Sequence, residues 1–128
     1  MKKETGLTVV YVPFPLVGIL ECKTRIFDGP SEWLRLFKDA QCVVTESFHG
    51  AVFSILFHKK FFVYANGHHI NKRADELLKR LNLTRCIIDG TVSDDILTSN
   101  INYDFVDKQM KIIREESMEK LKKIIEER

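Results

Sequence analysis

Excess charge of either sign is missing from this sequence: 20 Lys and Arg against 18 Asp and Glu leave a formal net charge of +2 over 128 residues. No basic run alternates with exposed aromatics, so the footprint of a nucleic-acid surface is absent and no nucleic-acid partner is expected. Cysteine is scarce as well. Cys22, Cys42 and Cys86 are odd in number and show no CxxC spacing, which argues against a disulfide framework and against a structural zinc site. Cys42 and Cys86 fall inside apolar runs, where a free cysteine packs as a small hydrophobe. A reducing, cytoplasmic compartment is the expectation.

Long hydrophobic runs are lacking too. The one membrane suspect, Val9 to Leu20, is too short to span a bilayer and is broken by Pro13, Pro15 and Gly18. Glu21 before Cys22 removes the small residue that a lipoprotein cleavage site needs. No transmembrane segment is predicted, and no internal repeat, linker or low-complexity tract divides the chain. Gly-x-Ser-x-Gly is absent, so Ser47 is not read as a hydrolase nucleophile. His68 and His69 are adjacent and do not share a face, and no third ligand is spaced to join them, so no metal site is expected.

What is present is an alternation of short apolar strands and helices. "KKETGL" (2–7) reads as the end of a helix closed by Gly6, which implies that a segment came before it. "LTVVYV" (7–12) and "KTRIF" (23–27) read as strands, the second closed by Asp28-Gly29. Pro30 takes the first position of a helix whose apolar face is Trp33, Leu34, Phe37 and Ala40. "CVVT" (42–45) and "KFFVYA" (60–65) are continuous apolar strands, the pattern of strands covered on both faces. Between them a helix over 48–57 is apolar nearly all round, which predicts burial.

Ile70, Ala74, Leu77, Leu78 and Leu81 mark an amphipathic helix ending near Asn82. "RCII" (85–88) is a strand before the Asp89-Gly90 turn. A long helix starts from Asp104 as N-cap, with Val106, Met110, Ile113, Ser117, Leu121 and Ile124 along its face. This is an α/β pattern with a mostly parallel sheet, a Rossmann-like three-layer domain over residues 1–128. The distal apolar residues Leu121, Ile124 and Ile125 have too little of so small a sheet to cover. They are expected to lack a partner in the domain and to make the chain a homo-oligomer.

Glu46, Ser47, Phe48, His49 and Gly50 form a polar break between two apolar segments. In an open parallel sheet, ligands bind where a strand's carboxyl end leads into a helix. The first N–H groups of that helix lack intrahelical partners and, with the helix dipole, favour an anion. Ser47 is placed either to cap the helix or to hold a ligand oxygen. Gly50 permits close approach of a ligand or of another backbone. Arg73 opens the following helix away from its apolar face, and Lys59 flanks a buried strand; both are candidate cations.

"PSEWLRLFKDAQCVVTESFHGAVFSILFHKKFFVYAN", followed by Asn71, Arg73, Leu77-Leu78, Leu83 and Arg85, resembles the polysaccharide pyruvyl transferases, in the branch that carries Ser-Phe-His-Gly. The resemblance implies the C-terminal half of a GT-B-like transferase, with an N-terminal partner domain closing the cleft. It implies transfer of pyruvate from phosphoenolpyruvate to two hydroxyls of a glycan or lipid-linked saccharide as a cyclic ketal, in exopolysaccharide or cell-wall polymer synthesis. It implies no cofactor beyond phosphoenolpyruvate as donor substrate, His49 as the catalytic residue, and Ser47, Phe48, Gly50, Lys59, Asn71 and Arg73 as substrate-binding residues. Two other readings stand beside it: an anion-binding or interaction module without catalysis, and a GT-B glycosyltransferase domain that uses a nucleotide sugar.

Overall fold

A computed structural model describes residues 10–11, 23–24, 29–65, 69–90 and 93–127. The helix end expected at 2–7 lies outside them, as do most of the strands expected at 7–12 and 23–27. The chain divides into two compact units, Met1–Asp39 and Ala40–Arg128.

In the first unit β1 (Val10–Tyr11) pairs in parallel with β2 (Lys23–Thr24), Val10 opposite Lys23. Helix α1 (Pro30–Asp39) begins at its proline, as the sequence predicts. Proline's fixed φ suits the first turn and its missing N–H costs nothing there. Glu32 in the first turn and Lys38 in the last complement the helix dipole. Trp33 and Phe37, one turn apart, meet edge to face with ring centroids 4.6 Å apart.

The second unit is an all-parallel open sheet of three strands in the order β3-β4-β5, with β3 Cys42–Thr45, β4 Lys60–Tyr64 and β5 Ile87–Ile88. Cys42 pairs with Lys60 and Val63 with Ile87, so β3 and β4 are adjacent and parallel, as their shared apolarity predicts. Helix α2 (Phe48–Leu56) joins β3 to β4, and α3 (Lys72–Arg80) leads from β4 toward β5. Two more helices follow, α4 (Asp94–Thr98) and α5 (Tyr103–Glu126). Strands and helices alternating around a parallel sheet make this a Rossmann-like α/β unit.

The core collects Ala51 and Ile55 of α2, Phe61 and Val63 of β4, Leu78 of α3, Leu81, Leu83, Cys86 and Val106 of α5. Phe61 and Val63 alternate with Phe62, which is buried toward the other face. Each large side chain buried here contributes about 1.5–3 kcal/mol of hydrophobic stabilisation.

Several local expectations change. Val44 is 49% exposed rather than covered; among the described residues β3 has a paired neighbour on one side only. Helix α2 is not buried all round either. Its small residues, Gly50, Ala51 and Ser54, with Ile55, take the buried face, and Leu56 and Phe57 are exposed. Ser54 is accommodated there by donating its hydroxyl to the Gly50 carbonyl at 2.7 Å. The strand expected at 85–88 is half as long: Thr84–Cys86 form a 3₁₀ turn closed by Cys86 N–H on the Leu83 carbonyl, and only Ile87 and Ile88 pair. Asn102, not Asp104, caps α5, accepting from Phe105 N–H at 3.2 Å. Helix α4 has no counterpart among the elements that the sequence pattern predicts.

Helices α2 and α3 end alike. Lys59 N–H reaches the Ser54 carbonyl and His58 N–H the Ile55 carbonyl; Leu83 and Asn82 make the same pair of bonds to Leu78 and Lys79. This closure needs one residue in the left-handed region. His58 takes it at φ 53° and Asn82 at φ 57°. Asn82 is therefore where α3 stops, as its sequence position predicts.

Helix α5 is 24 residues long, about 36 Å at the usual rise. Its first half packs Tyr103, Val106, Met110 and Ile113 on the core. Tyr103 donates its hydroxyl to the Lys59 carbonyl and stacks on the His58 ring, whose Nε2 lies 2.9 Å from Asp107. Arg80 pairs with Glu116 at 2.7 Å. Beyond that pair, Met118, Leu121, Ile124 and Ile125 are exposed, between 48% and 63%.

Candidate functional site

Strand β3 ends at Thr45, and the next residues are arranged by short polar contacts. Thr45 Oγ1 accepts from Ser47 N–H at 3.1 Å, which turns the chain out of the strand. Ser47 then sits in extended geometry, φ −91° and ψ 139°, and its Oγ accepts from Gly50 N–H at 3.1 Å. That is an N-cap, so of the two roles open to Ser47 the structure assigns the cap. The Ser47 carbonyl takes Ala51 N–H. Among the described residues the N–H groups of Phe48 and His49 have no partner, and both lie at the positive end of the α2 dipole.

Gly50 is buried, and its missing side chain makes room for Thr45: a Cβ there would stand 2.2 Å from Thr45 Oγ1 and 2.9 Å from Thr45 Cβ. The glycine is thus occupied by a close approach of α2 to β3. Asn71 is the N-cap of α3, its Oδ1 accepting from Arg73 N–H at 3.0 Å and Ala74 N–H at 3.4 Å. Both residues shape the helix entrances.

Phe48, His49 and Arg73 are brought together. The Arg73 guanidinium lies over the Phe48 ring, 4.9 Å from its centroid, and Phe48 meets the His49 ring edge-on at 5.5 Å. A cation over an aromatic face is held by the ring quadrupole, worth about 0.5–1 kcal/mol at an exposed site. His49 and Arg73 are both exposed. The N-termini of α2 and α3 therefore share one exposed corner beyond the carboxyl ends of β3 and β4, with an imidazole, a guanidinium and two free amide donors.

Lys59 does not join this corner. It precedes β4, at the amino edge of the parallel sheet, while His49 follows the carboxyl end of β3. The whole of α2, about 13 Å of helix, separates the two. Thr45 has no place in the sequence reading, although it orders the Ser47 amide and sets the space at Gly50; a hydroxyl residue two before an N-cap serine is the signal that finds it. The thiols are also remote. Burial pushes the Cys42 thiol up, opposed by Lys60, and burial pushes Cys86 up to about 11. Cys86 is a core residue, and Cys42 is half-buried at the start of β3.

A parallel α/β unit whose helix N-terminus, imidazole and guanidinium gather beyond the strand ends belongs with the Rossmann-like domains that take ligands at that edge. Residues 10–69, just under half of the chain, match the polysaccharide pyruvyl transferase family. The match includes Ser47 to Gly50 and stops short of Asn71 and Arg73. Neither the curated proteins nor the solved structures returned a match. Among the described residues no helix is long and apolar enough to cross a membrane, and no three His, Cys, Asp or Glu side chains group as metal ligands.

Proposed function

We propose that this chain is a pyruvyl transferase domain whose α2–α3 corner holds phosphoenolpyruvate, with a glycan or lipid-linked saccharide as acceptor. The reading rests on the family match together with one observation, the Arg73 guanidinium seated on Phe48 beside His49. Phosphoenolpyruvate carries a phosphate and a carboxylate. The free amides of Phe48 and His49 and the Arg73 guanidinium are the donors such an anion requires.

His49 acts as the acid. It delivers a proton to the methylene carbon, the C2 centre becomes oxocarbenium-like, and one sugar hydroxyl attacks it. Loss of inorganic phosphate and attack by the second hydroxyl close the ketal, and the two hydroxyl protons leave through bases or solvent. An imidazole near neutral pH suits this exchange. Ser47, Gly50 and Asn71 hold the geometry of the two helix entrances. In this reading a partner domain closes the other side of the cleft, and the reaction takes place in the cytoplasm.

The test is a thermal shift of the 128-residue chain with phosphoenolpyruvate, followed by phosphate release in the presence of a glycan acceptor and the partner domain. Arg73→Ala is expected to weaken the phosphoenolpyruvate shift by about 10-fold in affinity, the loss of one charge-assisted contact. His49→Ala is expected to keep the parent's melting temperature and to abolish phosphate release. No shift with phosphoenolpyruvate, and a shift with a nucleotide sugar instead, refutes the reading in favour of a glycosyltransferase.

A further inference from the structure

We infer that the distal half of α5 is a self-association surface on which a second copy of this chain lies antiparallel. Met118, Leu121 and Ile125 follow one another at spacings of three and four, which puts them on one stripe of the helix, with Ile124 beside them. All four are exposed, between 48% and 63%. The stripe lies beyond the Arg80–Glu116 pair, past the last residue that packs on the core, Ile113. Among the described residues no core side chain packs against it.

The charges beside the stripe decide what covers it. Glu116 is paired with Arg80, and Glu119 with Lys123 at 3.4 Å. Glu115 and Lys122, which flank the stripe on one side, have no ion pair among the described residues. In an antiparallel pair of helices that layers Met118 against Leu121 of the second copy, the same twofold axis layers Leu121 against Met118. The flanking positions then meet their own kind one heptad apart, so Glu115 of each helix faces Lys122 of the other. On the opposite flank Ser117 meets Ile124. Ile125 packs along the stem of Arg114. A parallel pair would place Lys122 beside Ser117 and leave both charges unmatched. The sequence is thus self-complementary in one orientation, the property an isologous contact requires. The patch is small, below the size of a standard stable interface, so the dimer is concentration-dependent.

Sedimentation equilibrium of the full 128-residue chain tests this. The wild type is expected to pass from monomer to dimer as its concentration rises through the micromolar range. Leu121→Asp is expected to be monomeric with an unchanged circular dichroism spectrum, since the residue bears no load in the fold. Glu115→Lys and Lys122→Glu are each expected to weaken dimerisation by about 3- to 10-fold, the effect of turning two exposed pairs repulsive. The double reversal is expected to restore it. A wild type that stays monomeric overturns the inference, as does one that is monomeric in solution but takes up anionic phospholipid vesicles through Leu121. A dimer indifferent to Leu121→Asp, or a double reversal no tighter than its singles, overturns it equally.

Discussion

Alanine at position 50 would place a methyl group 2.2 Å from Thr45 Oγ1, 2.9 Å from Thr45 Cβ and 3.0 Å from Thr45 Cγ2. Rotating the threonine moves its two branches but leaves its Cβ where it is, so α2 and β3 must separate by several tenths of an ångström. Overpacking of this kind costs about 1–3 kcal/mol. The shift also breaks the bond from Ser47 N–H to Thr45 Oγ1, worth about 1 kcal/mol. Alanine's better helix propensity returns about 1 kcal/mol. The sum is a net destabilisation of about 1–3 kcal/mol. Urea unfolding followed by circular dichroism measures it as a lower midpoint at unchanged slope. Thr45→Ala removes Oγ1 and Cγ2, so the double variant is expected to recover about 1 kcal/mol or more of coupling energy. A Gly50→Ala protein as stable as the parent refutes the close-approach account. If that protein had also lost affinity for phosphoenolpyruvate, Gly50 would be facing the ligand instead.

Two further outcomes are expected, beside the ligand-binding and self-association results above. His58 holds a left-handed backbone at φ 53°, so His58→Gly should be about 1 kcal/mol more stable than His58→Ala, since both lose the Asp107 and Tyr103 contacts and only glycine relaxes the backbone; equal unfolding midpoints would show that the turn carries no strain. Burial raises Cys86 from 9.0 to about 11, and raises Tyr103 above its ordinary value, with Cys86 and Asp107 adding to the effect. The unfolded chain therefore releases these protons at lower pH than the folded one, so their contribution is complete below about pH 9 and declines as pH rises toward 11 and beyond. Cys86 accounts for about 3 kcal/mol of that decline once it is complete. Denaturant titrations between pH 7 and 11 should show a shallower fall for Cys86→Ala, and an unchanged slope would contradict the assignment.

The sheet was legible because apolar runs and their spacing report burial directly: β3, β4 and the helix between them stand where "CVVT" and "KFFVYA" place them, β4 ending one residue earlier at Tyr64. Asn82 marked the end of α3 because few residues other than glycine tolerate its backbone. The burial of individual faces was less legible. The exposure of Val44 goes with β3 having one paired neighbour among the described residues, which is a property of topology rather than composition. Leu56 and Phe57 look like core residues in sequence, yet the close seating of α2 selects its small residues. At the site, Ser-Phe-His-Gly pointed to the corner where α2 and α3 begin, but it did not show which of its residues build the turn. Ser47, Gly50 and Asn71 are engaged by Thr45 and by their own helices, and Lys59 lies at the far edge. Arg73 reaching Phe48 is a tertiary contact across 25 positions, and no local pattern encodes it.

Helix α2 has two ends with different duties. Its first turn carries His49, and the residue closing its last turn, His58, grips Asp107 near the base of α5. Mechanically, α5 is a pointer with its pivot in the core and a free arm beyond Glu116. That arm runs about 15 Å, so a tilt of roughly 10° at the pivot swings its tip by about 3 Å. A displacement of α2 along its axis would reach that pivot through His58, whose ring lies 2.9 Å from Asp107. A pair of labels, one at position 123 and one at position 72, would read such a tilt as a change in distance.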